Sequence, residues 1–387
     1  MAQEDTTSES VAGFEIGPIR PPSEAYSLLI RATRNCPWNR CLFCHCYKGT
    51  QFSLRTVEEI ERDIDVAAAV RDQIVEASTR LGFGGDVQAT AAALLSQPYG
   101  DQCLRDVALF LYAGGQSAFL QDSNTLIMRT PDLVRVLRHL YASFPSLTRV
   151  TSYSRSHTAA HKTLDELKEI RAAGLVRIHI GLETGYDPLL EYMQKGTTAA
   201  QQIEAGRRLN EAGFSLSEYV MPGLGGRAMA EGHVRETARA LNEIRPEFIR
   251  LRSLHVTPTM PLWSRLQDGD FQLQDEDDVV REIRGLLELL DVTSQFKSDH
   301  ILNLLMEIEG TLPADKGNCL AIIDRYLSLP DDERLIFRLG RRMGFYSSLG
   351  DLADPGRHER MADALRRIRE RGDNVEDVIR RLKDGFI

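Results

Sequence analysis

The sequence predicts a mixed α/β protein, an open parallel (β/α)6 partial barrel followed by a helical C-terminal region. Short apolar runs alternate six times, between Tyr26 and Val256, with segments whose apolar residues recur at helical spacing. Successive βα units of this kind require a parallel sheet with right-handed crossovers. A closed eight-stranded barrel would need two further units, and no convincing strand follows Val256. From about Ser298 onward the apolar pattern is helical.

Length and composition set the outer bounds. The 387 residues suffice for one large domain, alone or with a smaller partner. We expect an N-terminal flexible arm over residues 1–24, the partial barrel over residues 25–297 and the helical region over residues 298–387. No apolar stretch approaches the roughly 20 residues of a membrane span, and no signal-peptide pattern opens the chain, which predicts a cytoplasmic location. The net charge of −9 argues against nucleic acid as a partner.

The first half of the chain supplies three predicted strands. The first, Tyr26 to Thr33, leads into a cysteine-rich loop, and a helix from about Thr56 to Leu81 follows. Residues 82–100 form an irregular or helical insertion. The second strand is predicted over Asp106 to Ala113, because a strand covered on both faces is apolar throughout. After a helix opened by Pro131, the third strand is predicted over residues 149–154.

The second half continues the alternation and then becomes helical. Strands are predicted over residues 176–182, 215–221 and 247–256, with helices over residues 164–173, 188–194, 199–212 and 231–244. Further helices are predicted over residues 300–309, 314–329 and 331–342, and a pair over 361–384 is broken near Gly372. Residues 331–387 carry thirteen Lys or Arg and twelve Asp or Glu, which is typical of a solvated surface. We expect this region to cover one side of the open barrel.

The loop after the first strand carries the strongest chemical signal. Four of the six cysteines fall between Cys36 and Cys46, and Cys36, Cys41 and Cys44 form a C-x4-C-x2-C pattern. Several thiolates on one loop can converge on a metal ion or cluster without long-range chain closure. Three thiolates on a four-iron cluster would leave one iron without a protein ligand, and that iron would be open to chemistry.

This loop resembles the cluster-binding loop of the radical SAM enzymes, which normally reads C-x3-C-x-aromatic-C. Phe43 stands in the aromatic position, and one extra residue separates the first two cysteines. The resemblance covers roughly residues 25–265. It implies a [4Fe-4S] cluster ligated by Cys36, Cys41 and Cys44, with S-adenosylmethionine on the open iron. Reductive cleavage would then give methionine and a 5′-deoxyadenosyl radical, with an electron from an external low-potential donor such as flavodoxin or ferredoxin.

The resemblance also implies a set of cofactor residues at predicted strand ends, where ligands of parallel sheets bind. A Gly-Gly-Gln turn resembles the glycine-rich motif for the amino group, and an arginine after the third strand suits a carboxylate. The sequence also resembles the core of the coproporphyrinogen-dehydrogenase-like, oxygen-independent branch in three residues: a glutamate, a lysine twelve residues later and an acid on the fifth strand. The whole set is Gly114, Gly115, Gln116, Arg155, Glu183, Lys195 and Glu218.

Several nearby residues carry weaker signals. The segment Asp122 to Asn124 either lines the pocket or caps the next helix, and we weigh these two roles equally. We interpret Cys46 as a neighbour of the cluster, and Cys103 and Cys319 as buried structural cysteines. His157 and His161 stand four apart, but nothing supplies a third metal ligand. No D-x-H-x-x-G motif is present, which disfavours cobalamin-dependent methylation.

Other interpretations of the cysteine loop remain open at this point. They are a disulfide framework, a structural zinc loop and a ferredoxin-like electron carrier. At the level of function, a non-catalytic iron-sulfur or haem-binding carrier and a tRNA- or protein-modifying radical enzyme are the alternatives. The preferred substrate is a small molecule or a peptide, because the chain is acidic.

Overall fold

The structure, a computed structural model, describes residues 13–98 and 101–386. In chain order its strands are β1 (Leu28–Arg31), β2 (Thr33–Arg34), β3 (Ser53–Leu54), β4 (Ser117–Gln121), β5 (Arg149–Ser154), β6 (Leu175–Glu183), β7 (Ser215–Val220), β8 (Phe248–Leu251), β9 (Gln295–Lys297) and β10 (Gly310–Thr311). Residues 1–12, 99–100 and 387 lie outside the described part.

Eight of these strands form one sheet in the spatial order β1-β4-β5-β6-β7-β8-β9-β10. All neighbouring pairs from β1 to β9 are parallel, and β10 runs antiparallel to β9. β2 and β3 form a separate antiparallel pair. Strands β4 to β8 are neighbours in the order in which they occur in the chain, as expected when each crossover has the same hand. The predicted α/β fold with a parallel sheet is confirmed.

Helices connect the strands and continue beyond them. They are α1 (Val57–Arg80), α2 (Val87–Leu95), α3 (Gln102–Tyr112), α4 (Thr130–Ser143), α5 (Ser156–His161), α6 (Leu164–Ala172), α7 (Asp187–Tyr192), α8 (Ala199–Glu211), α9 (Gly226–Ile244), α10 (Leu262–Gln267), α11 (Glu276–Leu289), α12 (Lys316–Leu327), α13 (Asp331–Arg342), α14 (Pro355–Glu370) and α15 (Val375–Asp384). Their starts agree with local capping chemistry. Thr56, Thr163 and Thr198 each form a capping box with a Glu or Gln three residues later.

The sheet has an outer face that packs on helices and an inner face that is concave. Outward residues of β6, such as Ile178 and Ile180, are buried in one apolar cluster together with helix residues. On the inner face, the rings of Phe119 and His179 are 6.5 Å apart although β5 lies between their strands. Strands two apart are separated by almost 10 Å in a flat sheet, so the rings lean together over a curved one. The two edge strands do not pair with each other, which leaves the barrel open.

The prediction of the second strand was wrong. Asp106 to Tyr112 lies in α3 and Ala113 is the C-cap of this helix, whose first turn is capped by Asp101 through the backbone N–H groups of Cys103 and Leu104. The run from Val107 to Tyr112 contains no charged residue, and the exposed polar residues of this helix, Gln102 and Arg105, precede that run, so the run alone has no clear helical period. The second strand of the parallel sheet is instead β4. Gly114, Gly115 and Gln116 therefore precede this strand and lie at the amino edge of the sheet.

The prediction of no strand beyond Val256 was also wrong, because β9 and β10 extend the sheet. Both are too short for a two-residue period to be visible in the sequence. The predicted helix over residues 300–309 is a series of turns. Its carbonyl groups accept hydrogen bonds from Arg341 and Arg342 of α13, and the Asn303 side chain binds the backbone of Leu251 and Ser253. These long-range bonds replace the hydrogen bonds of a helix.

The described parts of both terminal regions pack on the barrel. Residues 13–24 were expected to be a flexible arm, but Phe14 is buried and its backbone N–H donates to the Cys103 sulfur. In the C-terminal region, β10 joins the sheet, and Arg342 of α13 forms a buried ion pair with Glu276 of α11. Within the described residues, no helix combines the length and apolarity that crossing a bilayer requires.

The edge strand β1 depends on one buried carboxyl group. The backbone N–H of Leu29 donates to Asp106 Oδ2 at 3.1 Å, which satisfies a strand-edge donor that has no neighbouring strand. Burial raises the pKa of Asp106 to about 7, against the opposing effects of this hydrogen bond and of Arg20.

Stability should therefore respond to the ionisation of Asp106. The pKa of Asp106 is higher in the folded protein than in the unfolded chain. Asp106 therefore contributes fully to the free energy of unfolding below the unfolded-state pKa, and this contribution is lost as the pH rises through about 7. In Asp106→Asn the amide oxygen can still accept the Leu29 bond but cannot ionise. We expect the stability of the wild type relative to this variant to fall by about 2–3 kcal/mol between pH 5 and pH 8. Urea unfolding of both proteins at the two pH values measures it, and a pH-independent difference would contradict the assignment.

Candidate cluster and cofactor site

The cysteine loop lies at the carboxyl edge of the sheet, between β2 and β3. Cys36, Cys41 and Cys44 are partly buried, and Cys46 is exposed. All six cysteines are free thiols, so the disulfide framework is not formed. The loop begins shortly after the carboxyl end of β1, following the short strand β2, and it therefore lies over the same edge as the ends of β4 to β8.

Asp122 fixes both ends of this loop. The residue follows β4, and its side chain is fully buried. Its carboxylate accepts hydrogen bonds from the backbone N–H of Asn35 at 3.0 Å, from the Tyr47 hydroxyl at 3.1 Å and from Arg31 Nε at 2.8 Å. Ser123 adds a bond from its hydroxyl to the Asn35 carbonyl at 2.9 Å. One carboxylate thus holds the start and the end of the loop against a strand end.

The middle of the loop rests on an apolar cluster. Leu42 and Phe43 are buried there together with residues from the ends of several other elements, namely Leu189, Met193, Met221, Leu224, Leu254, Val256, Leu262 and Phe271. The backbone N–H of Leu42 donates to the Met193 carbonyl at 3.0 Å, and the Leu42 carbonyl accepts from Leu262 N–H at 2.9 Å. Phe43 stands in the expected aromatic position before the last cysteine, and its buried ring also anchors the loop on this cluster.

The donor set suits an iron-sulfur cluster. Three partly buried thiols lie on one fixed loop, and the Cys36 sulfur accepts a hydrogen bond from Asn39 N–H at 3.4 Å. Burial raises the pKa of Cys41, and the positive charge of Lys195 opposes that rise. Hydrogen bonds and positive charges of this kind stabilise the thiolate form that ligates iron. Within the described residues, no three or more His, Cys, Asp or Glu side chains are grouped so as to hold a single metal ion.

Cys44 and Cys46 interact with each other. A hydrogen bond between the two thiols raises the pKa of Cys44 and lowers that of Cys46 to about 7. The role of Cys46 as a neighbour of the cluster stays a prediction.

Glu183 and Lys195 form an ion pair beside the loop. Lys195 Nζ lies 3.0 Å from Glu183 Oε1 and 5.5 Å from the centroid of the Phe43 ring. Burial lowers the pKa of Lys195, but Glu183 and Cys41 outweigh that effect, so the net pKa is raised and the side chain is a cation. A Cβ at Gly181 would lie 2.2 Å from Glu183 Oε1 and 3.0 Å from Lys195 Nζ, so this glycine makes room for the pair.

The backbone around this pair is unusual. Glu183 has φ of 61°, in the left-handed region that non-glycine residues avoid, and the register between β6 and β7 shifts there. Among the described residues, five non-glycine residues have positive φ, and four of them flank this site: Asn35, Asn39, Glu183 and Gln194. Strained backbone of this kind concentrates at functional sites, where surrounding contacts hold it in place.

Arg155 connects the end of β5 to the same site. Its Nη2 donates to the carbonyl groups of Lys195 at 3.0 Å and Gly196 at 3.2 Å. Its guanidinium carbon lies 5.0 Å from the centroid of the Trp38 ring. Burial lowers the pKa of Arg155, whereas the Cys36 and Cys41 thiolates would raise it. The arginine therefore positions the Lys195 segment and adds a positive charge beside the cysteines.

Glu218 is the most deeply buried of the predicted residues. It is 1% exposed, and its Oε2 has no hydrogen-bond partner among the described residues. Burial raises its pKa well above the usual range, while the charge of Lys195 opposes the rise. A bound molecule could supply a hydrogen-bond partner for this oxygen.

The structure thus brings together most of the predicted site and excludes one part. The cysteine loop, Arg155, Lys195, Glu183 and Glu218 lie at the carboxyl edge. Gly114, Gly115 and Gln116 do not, because they precede β4; the Gln116 carbonyl instead accepts the backbone N–H of Thr148 at 2.9 Å. Their assignment to the amino group of S-adenosylmethionine is therefore corrected.

Asp122, Asn124 and Trp38 complete the site, and sequence reasoning gave them no definite role. Asn124 is fully buried, and its Oδ1 accepts from Arg155 N–H at 3.0 Å. It therefore supports the end of β5 instead of capping the helix that follows it. A correct position for β4 would have placed Asp122 and Asn124 at the functional edge. His157 and His161 stack on each other on α5 at 4.3 Å.

Comparisons with known proteins bear on this site. Residues 112–239 match the model of the radical SAM superfamily. Among curated proteins, the tRNA uridine(34) acetyltransferase of Methanocaldococcus jannaschii is 22% identical over 119 residues, 30% of this chain and 22% of the relative. The chain therefore spans about a fifth of the length of that relative.

Two solved structures show weaker, structural likeness. The archaeal Methanocaldococcus infernus Elp3 has a TM-score of 0.41 and 14% identity, with 57% of this chain and 55% of that chain covered. Coproporphyrinogen III oxidase (HemN) from Escherichia coli has a TM-score of 0.42 and 15% identity, with 68% and 52% covered. The sequence match contains β4 to β7 and the helices between them. Over residues 112–239, about a third of the chain, the protein is similar to the radical SAM superfamily.

Proposed function

We propose that the protein is a radical SAM enzyme in which Cys36, Cys41 and Cys44 ligate a [4Fe-4S] cluster. The cluster cleaves S-adenosylmethionine reductively, and the resulting 5′-deoxyadenosyl radical abstracts hydrogen from a small-molecule or peptide substrate. The observation that carries this proposal is the position of the three-cysteine loop directly beside the Lys195–Glu183 pair. When bound, the cluster supplies the electron that breaks the sulfonium carbon–sulfur bond, and an external low-potential donor such as flavodoxin or ferredoxin reduces it.

The residues around the loop have separable tasks in this proposal. Lys195 and Arg155 place two positive charges near the thiolates and reduce the cost of burying them. Glu183 offers a carboxylate that can accept hydrogen bonds from the amino group or the ribose hydroxyls of the cofactor. Glu218 offers its unpartnered carboxyl oxygen to the same molecule, and the positive sulfonium would lower its raised pKa.

Arg155 has less freedom than the sequence suggested. We predicted that it pairs with the methionine carboxylate, but one of its nitrogens already binds two backbone carbonyls. We therefore propose that it acts first as a positioning residue for Lys195 and binds the carboxylate only through its remaining N–H groups.

Two other functions deserve tests. A non-catalytic iron-sulfur or haem carrier would bind its cofactor without turning over S-adenosylmethionine. A tRNA- or protein-modifying enzyme is favoured by one observation, the partial match to a tRNA uridine(34) acetyltransferase. We prefer a small molecule or peptide because the net charge is −9 and residues 331–387 carry nearly equal numbers of basic and acidic side chains.

The cluster assignment predicts which cysteines hold iron. Anaerobically reconstituted wild-type protein should contain about four irons and four sulfides per chain. Cys36→Ala, Cys41→Ala and Cys44→Ala should each lose most of that iron, because three thiolates are the whole protein ligand set. Cys46→Ala in the same loop and Cys319→Ala in α12 are matched controls that should keep it. Iron retained by Cys36→Ala, or lost by Cys46→Ala, would identify a different ligand set.

The activity itself is tested by cofactor cleavage. Reconstituted protein with dithionite and S-adenosylmethionine should form 5′-deoxyadenosine, and the triple Cys36→Ala, Cys41→Ala, Cys44→Ala variant should form none. Chromatography of the quenched reaction measures the product, and a reaction without dithionite is the control. A full four-iron cluster that yields no 5′-deoxyadenosine would refute the enzymatic proposal and favour the carrier.

A further inference from the structure

Arg252 lies at the same edge of the sheet, at the end of β8. Its backbone N–H donates to the Val220 carbonyl at 2.9 Å and so extends the strand by one residue. The alternation of a strand places Arg252 on the same face as Arg250. Its guanidinium carbon lies 5.4 Å from the centroid of the Tyr219 ring, which in turn contacts the rings of Tyr153 and His179. Arg252 therefore lies on the concave side of the sheet, above a layer of aromatic rings.

This arginine lacks the counter-ion that its neighbours have. Four other cations of the inner face lie within 4.0 Å of a carboxylate: Arg149 with Glu24, Arg177 with Glu247, Lys195 with Glu183 and Arg250 with Asp299. Within residues 13–98 and 101–386, Arg252 forms no such pair. Its Nε is buried and has no hydrogen-bond partner in the same residues. An unpaired buried donor of a charged group is costly, so a binding partner for it would be favourable.

Two further groups complete the surroundings of Arg252. The Tyr219 hydroxyl is buried and, among the described residues, lacks a hydrogen-bond partner. His300 does not compete as a cation, because burial and then the charge of Arg252 lower its pKa to about 4. Asp299 does not neutralise Arg252, because it is paired with Arg250. The site therefore offers a guanidinium and a hydroxyl over an aromatic floor, and the charge of Arg252 also helps to lower the pKa of Cys46 in the cysteine loop.

We propose that Arg252 binds an anionic group of the substrate, a carboxylate or a phosphate, while the organic part of that substrate lies on Tyr219 and Tyr153. A guanidinium forms paired hydrogen bonds with both kinds of anion, and a tyrosine hydroxyl can add a third. This inference rests on the proposed function and names the substrate class of that site. Arg252 directly follows β8 and is two strands away from Glu183 on β6, so we assign it to a substrate bound beside the cofactor.

Binding of simple probe anions tests this proposal without any turnover. Isothermal titration of the reconstituted full-length protein, with S-adenosylmethionine present, would use benzoate, phenyl phosphate and uncharged benzamide. We expect one of the two anions to bind clearly better than benzamide, and the better anion identifies the acid group. Arg252→Gln should weaken that binding about tenfold or more, and Arg252→Lys should weaken it less. Arg366→Gln on α14 removes an exposed positive charge far from the sheet and should leave it unchanged.

Three results would overturn the proposal. They are no binding of either anion by the wild type, equal binding in Arg252→Gln, and a tenfold loss of S-adenosylmethionine affinity in Arg252→Gln, which would place Arg252 in the cofactor site. Thermal unfolding of each variant shows that it is folded, and Arg252→Lys serves if Arg252→Gln is not. Absence of 5′-deoxyadenosine in the separate cleavage assay would refute the enzymatic proposal, whereas these titrations report on Arg252 alone.

Discussion

The carboxylate of Asp122 is the contact on which the candidate site depends. It is fully buried at the end of β4, and it accepts bonds from Arg31, from the Asn35 backbone and from the Tyr47 hydroxyl. A loop with three cysteines would otherwise have many conformations, and ordering it costs about 1–2 kcal/mol of backbone entropy per residue. By holding residues 35 and 47 at one strand end, Asp122 reduces the freedom of the segment between them. The thiols can then lie ready for a cluster.

The other side of the site is built by elements that follow later in the chain. The guanidinium carbons of Arg40 and Arg155 each lie 5.0 Å from the centroid of the Trp38 ring in the loop. Trp38 Nε1 donates to the Gln194 carbonyl at 2.7 Å, and a Cβ at Gly196 would lie 2.2 Å from the ring. The close approach of this segment therefore requires glycine at position 196. Through these contacts the loop and the Lys195–Glu183 pair are held as one unit, with cations beside thiols.

Much of this fold was accessible from the sequence, and the failures have identifiable causes. Strand β5 was predicted with its bounds, and β6 and β7 within a residue at each end, because apolar strands alternate there with well-capped helices. Helix α3 was predicted as a strand because its residues from Val107 to Tyr112 are all uncharged, while its exposed polar residues lie in its first turn. Residues 300–309 have a helical pattern but no helix, since arginines of α13 take their carbonyl groups. Hydrogen bonds between residues so far apart in the sequence cannot be inferred from the local spacing of apolar residues.

The candidate site was likewise predictable from the sequence only in part. Glu183 and Lys195 stand twelve residues apart and meet because β6 and α7 turn the chain back at the strand end. The glycines at 114 and 115 were assigned to the wrong edge, since one misplaced strand reverses the direction in which a motif faces. The specific roles of Asp122 and Arg252 follow from their contacts in three dimensions, since Asp122 accepts several hydrogen bonds and Arg252 lacks a partner for its Nε among the described residues.

The central claim is that the three-cysteine loop holds a cluster whose fourth iron binds S-adenosylmethionine. Mössbauer spectroscopy of protein reconstituted with ⁵⁷Fe tests it most directly, before and after addition of the cofactor. We expect one iron of the four to change its isomer shift and quadrupole splitting when S-adenosylmethionine is added, while three keep theirs. A spectrum of four equivalent irons that does not respond to the cofactor would contradict it.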